Sequence, residues 1–184
     1  MPVKLTRARI RRSLLKVGPG VHKYRSIQAS VRSTPRFHRD PDFQRAFNSF
    51  YRVRRSAEWR KAFFKLMGDA QKGSYSFKKI LVKLCRATGR YEASFSSKLY
   101  ATLNPTAPVI DSIILKNLRR RLPYANQGKR FERIVELHGE LHKELRGYLA
   151  TADGKFLVGA FDAIYPNSGI TNIKKLDLVL WQAR

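Results

Sequence analysis

Residues 91–118 read YEASFSSKLYATLNPTAPVIDSIILKNL, and the reading of this stretch decides the fold. From Ser94 to Leu103 small and apolar residues recur at helical spacing, with Phe95, Leu99, Ala101 and Leu103 as inner positions. Asn104-Pro105 stops that helix, and apolar residues return at Ile113, Ile114, Leu115 and Leu118. The pattern predicts helix, Pro-broken turn, helix. Lys98 falls mid-helix in the first arm; Asp111 opens the second, directly after Pro108-Val109-Ile110. An acid set among apolar residues stands out in a chain of net charge +25.

The same periodicity runs outward from this pair. Helices are predicted over residues 42–53 (Phe43, Phe47, Phe50, Tyr51), 56–69 (Trp59, Phe63, Leu66, Met67) and 76–88 (Phe77, Ile80, Leu81, Leu84, Cys85). Ser56 and Ser76 stand where helices start, and Gly89 where one stops. Further helices are expected at 111–122, closed by Arg119-Arg120-Arg121, at 130–151, at 155–165 and at 171–182. No strand run, repeat or sustained heptad is present. The expected fold is all-α: a single compact domain of about eight helices over residues 41–184.

Residues 1–40 differ in composition. Residues 1–39 hold eleven of the 38 Lys and Arg and none of the 13 acids. A short basic helix at 6–16, broken by Gly18-Pro19-Gly20, fits a flexible arm that orders on binding a polyanion. The same composition also matches an organelle transit peptide. Otherwise the expected location is a bacterial cytoplasm, beside the nucleoid. The charge points to nucleic acid as partner, because phosphate neutralisation dominates such affinity. No apolar run reaches the ~18 residues of a membrane span. One cysteine, Cys85, excludes an internal disulfide and a cysteine cluster.

Chemistry centres on Lys98 and Asp111. A hairpin of two consecutive helices can bring both side chains to one cleft. There a partly desolvated lysine attacks an electrophilic carbon, and an aspartate steadies a developing cation. The alternative is plain: Lys98 is a surface lysine and Asp111 an N-cap. His138 and His142, four apart in His-Gly-Glu-Leu-His, lack the order of a metalloprotease motif and a third ligand in view.

Ser96-Ser97-Lys98-Leu99-Tyr100-Ala101 and Pro108-Val109-Ile110-Asp111-Ser112 resemble the active-site segments of the helix-hairpin-helix DNA glycosylase superfamily, which includes 8-oxoguanine and endonuclease III-type enzymes. Residues 47–55, Trp59-Arg60 and residues 174–182 are similar to bacterial proteins built on that fold, so the likeness covers about residues 43–181. The resemblance implies base flipping on double-stranded DNA, Asp111 stabilising the sugar cation and Lys98 acting as Schiff-base lysine. It implies phosphate contacts from Ser94, Ser96 and Ser97 in the hairpin turn. Arg52, Arg54, Arg55, Lys174 and Lys175 are further phosphate candidates, and Tyr51, Tyr91 and Tyr100 candidates to line a base pocket. The family's hairpin glycines are absent here, and Lys98 and Asp111 lie 13 residues apart. No metal or other cofactor is expected, and the chain is expected to act as a monomer. A non-catalytic nucleic-acid-binding protein that keeps the fold is the competing reading.

Overall fold

The computed structural model describes residues 5–124 and 128–183. Among them are ten α-helices, one short 3-10 turn and no strand, so the chain is all-α. It divides into two compact units: Met1–Val21 with Pro105–Arg184, and His22–Asn104. One domain over residues 41–184 behind a flexible arm was the expectation; the described residues before 41 are largely helical.

Helix α1 (Arg7–Leu14) starts at Thr6, whose side chain accepts from the Arg9 amide. Ile10, Leu14, Val17 and Val21 are all buried. Ile10 and Leu14 lie one turn apart on the inner face of α1, set among arginines in the sequence, and Val17 and Val21 carry the buried stripe across the junction that follows. Gly18-Pro19-Gly20 does not break the chain into coil; it forms the first turn of α2 (Gly18–Ser33). Proline is tolerated there because a first-turn N–H has no intrahelical acceptor. The boundary between the units falls within α2.

The unit His22–Asn104 contains most of α2, a 3-10 turn (Phe37–Arg39), α3 (Pro41–Tyr51), α4 (Ala57–Lys72), α5 (Phe77–Thr88) and α6 (Ala93–Leu103). Asp40, Ser56 and Ser76 each cap the following helix with a side-chain oxygen. Gly89, at φ 71°, ends α5 in the left-handed region that glycine favours. The core is aromatic: Phe47 touches Phe43, Tyr51, Phe63 and Phe64, with centroids 4.7–6.0 Å apart.

The other unit contains α1, α7 (Ser112–Asn117), α8 (Arg130–Ala150), α9 (Ala152–Ile164) and α10 (Asn172–Gln182). Helix α10 is its axis, packing on α1, α7, α8 and α9. Residues 173–180 are buried without a break, so this stretch of the helix has no solvent face. Helix α7 is shorter than expected. Arg119, at φ 53°, takes the left-handed position; its amide and that of Arg120 bond the Lys116 and Leu115 carbonyls, sealing the helix before the arginine triplet. A helix was expected from 155, leaving residues 153–154 outside it. They lie inside α9 instead, because Thr151 caps that helix through the Gly154 amide. A Cβ on Gly154 would collide with the Tyr148 carbonyl, so only glycine permits this sharp α8–α9 junction.

Candidate nucleic-acid site

Lys98 is 7% exposed on α6, where residues 96–99 are all buried. It is therefore not a surface lysine. Its Nζ lies 3.5 Å from the Tyr51 carbonyl, at hydrogen-bonding distance, and 5.3 Å and 5.7 Å from the ring centroids of Phe95 and Tyr51. Both rings hold the amine by its charge or its stem. Beside it Trp59 meets Phe95 edge-on at 4.8 Å and stacks on Phe63 at 4.9 Å. Arg55 closes the far side. Its guanidinium sits 5.2 Å from the Phe95 centroid and 5.7 Å from that of Trp59, and its Nη2 donates to both carboxylate oxygens of Glu92 at 3.0 Å. Lys98 and Arg55 thus share an aromatic wall. Glu92, which does not cap α6 with its side chain, is committed to Arg55. Sequence reading missed this Arg55–Glu92 clamp, because nothing local joins residues 37 positions apart.

Asp111 lies in the other unit and is half-buried. It is the N-cap of α7: its Oδ1 accepts from the Ile113 amide at 2.9 Å. The loop before it is tied at two points. Thr171 Oγ1 donates to the Pro105 carbonyl at 2.6 Å. His138, buried on α8, hydrogen-bonds the Pro108 backbone. Ala107, Val109 and Ile110 of the same loop are buried. Burial pushes His138 down to about 4, partly offset by the Pro108 bond, with His142 lowering it slightly further. His138 is a neutral strut for the Asp111 loop. Among the described residues no three His, Cys, Asp or Glu side chains form a group able to hold a metal.

No single unit holds both Lys98 and Asp111. The expected phosphate contacts divide. Arg52 and Arg54 are exposed, and Ser94 is half-buried. Ser96 and Ser97 are fully buried, and Ser97 donates to the Ser94 carbonyl, so these two hydroxyls do not form an open hairpin turn. Lys174 and Lys175 are also buried, contrary to expectation. Lys174 Nζ bonds Asp177 Oδ2 at 2.6 Å and Lys175 Nζ bonds Asp162 Oδ2 at 2.7 Å. An amine buried in an all-buried helix needs a carboxylate beside it, and these two have one each. Of the tyrosines, Tyr51 is core, Tyr100 is half-buried with its centroid 6.3 Å from that of Phe77, and Tyr91 is exposed. Among the described residues no helix is long and apolar enough to cross a membrane.

Compared with protein-family models, with curated proteins and with solved structures, the chain matches none.

Proposed function

We propose that the protein binds duplex DNA and excises a modified base, as a helix-hairpin-helix-like glycosylase with Asp111 and Lys98 as its reacting groups. The observation that supports this reading is the setting of Lys98: an amine taken out of water and laid between aromatic rings. Lysines used as nucleophiles are those removed from bulk solvent. The target nucleotide leaves the base stack. As the base departs with the glycosidic electron pair, positive charge grows on the sugar, and the Asp111 carboxylate offsets it. Nζ of Lys98 then bonds to C1′. Loss of its proton and opening of the sugar ring give a Schiff base that hydride reduces.

A second reading is a nucleic-acid-binding protein without chemistry. It is favoured by the cap that Asp111 provides to α7 and by the Lys98 contact with the Tyr51 carbonyl.

Borohydride trapping on duplex DNA with one abasic site separates the two. The catalytic reading expects a covalent adduct with the wild type and none with Lys98→Ala. Asp111→Asn, run on a panel of modified-base duplexes, should abolish base release while the protein stays folded, because asparagine caps a helix as well as aspartate. A wild type that binds DNA, forms no adduct and releases no base from the panel would leave the binding-only reading standing.

A further inference from the structure

Helix α1 carries charge that the proposed chemistry does not use. Its cations, with Lys16 just beyond its end, fall into two sets. Arg7 and Arg11 lie over the Phe156 ring, 5.1 Å and 5.3 Å from its centroid, and Arg7 Nε bonds Asp153 Oδ1 at 3.1 Å. These two are occupied within the fold.

The other set, Arg9, Arg12 and Lys16, repeats at i, i+3 and i+7. With Thr6, Ser13 and Gln182 they line a pocket of about 180 Å³ in the same unit. Arg9 is fixed there: its Nη2 donates to Asn117 Oδ1 at 3.1 Å and to the Ala183 carbonyl at 2.6 Å. Both of these acceptors are neutral, so they hold the guanidinium in place without bringing an opposing charge. Arg12 and Lys16 are exposed. No described lining residue is acidic.

Three like charges around one concavity repel one another, and a bound anion relieves that cost. The donors are two guanidinium groups, an ammonium and hydroxyls. They suit a group with several charged oxygens set around one centre, which is a phosphate. We propose that this pocket seats one backbone phosphate of a nucleic acid. The proposal rests on the nucleic-acid partner argued above, but on none of the residues of the proposed chemistry.

The test is fluorescence-anisotropy titration of a short DNA duplex over a salt series. It uses the full chain as wild type, as Arg12→Ala/Lys16→Ala and as Lys61→Ala/Lys65→Ala. The last pair is exposed on α4 and removes equal charge elsewhere. Circular dichroism confirms that each variant is folded. Should the double variant not fold, Arg12→Gln and Lys16→Gln are run singly, each expected to give part of the effect.

Losing one phosphate contact lowers the slope of log K against log salt by about 0.9. The expected result is that drop in Arg12→Ala/Lys16→Ala and a smaller one in the control. No drop, or an equal drop in both, overturns the proposal. A second arm measures Tm with inorganic phosphate against chloride. If phosphate stabilises the wild type but not the Arg12/Lys16 variant while the DNA slope stays unchanged, the pocket takes free phosphate and the nucleic-acid assignment falls. A wild type with no DNA affinity overturns the partner itself. A trapping failure with the slope effect intact overturns only the chemistry.

Discussion

His138 shows how one buried side chain couples the Asp111 loop to pH. The folded protein holds it neutral, at about 4, against an ordinary value of 6.5. Between those values the unfolded chain binds a proton that the folded chain refuses. Its contribution is therefore complete above about pH 6.5 and is lost as pH falls toward 4. Urea melts at pH 7.5 and 4.5 should show the wild type losing on the order of 2–3 kcal/mol more than His138→Gln. An equal loss in both would mean that His138 is not held neutral. This residue also marks a limit of sequence reading. The His138–His142 spacing was visible, but the partner of His138 is the Pro108 backbone, thirty positions upstream. Lys98 and Asp111 were legible as types and positions; that Asp111 caps α7 was one of the two readings open to it. That Lys175 faces an acid was not legible, because Asp162 belongs to another helix; Asp177 stands only three residues after Lys174, but a lysine pair at a helix start reads as surface.

At the scale of elements, periodicity and punctuation anticipated all eight helices from α3 to α10, although α7 ends earlier and α9 begins earlier than they indicate. Ser56, Ser76 and Gly89 act as the caps their residue types suggest. The two helices before them were not legible as packed structure. In α1 and the start of α2 the apolar stripe is one residue wide and flanked by arginines, which composition reads as a charged arm. The consequence is testable. Deleting residues 1–16 removes Leu5, Ile10 and Leu14, each at most 4% exposed. At ~1.5–3 kcal/mol per buried aliphatic side chain, that is a loss of about 5 kcal/mol or more. It is comparable with the whole stability of an ordinary domain. The truncated chain should melt at much lower temperature, or fail to unfold cooperatively, by circular dichroism. A truncation that leaves the melt unchanged would mean that residues 1–16 add nothing to the stability of the fold.

For the molecule as a whole, charge is the dominant fact. A net charge of +25 on 184 residues opposes compaction. Raising salt from about 10 mM to about 150 mM shortens the screening length from ~30 Å to ~8 Å. Tm should rise over that range with sodium chloride alone; a flat or falling Tm would mean that the cations are already compensated within the fold. Total charge was plain in the sequence, and so was the all-helical class. The pairing of the first 21 residues with the last 80 was not, since it is a relation across nearly the full chain. That relation has a consequence for how the protein is made. The acceptor for Arg9, the Ala183 carbonyl, lies 174 residues downstream. At ~5–20 residues per second a ribosome needs roughly 10 to 35 s to reach it. Throughout that interval α1 waits with Ile10 and Leu14 uncovered. A nascent chain stalled before α10 is therefore the form of this protein most in need of a chaperone.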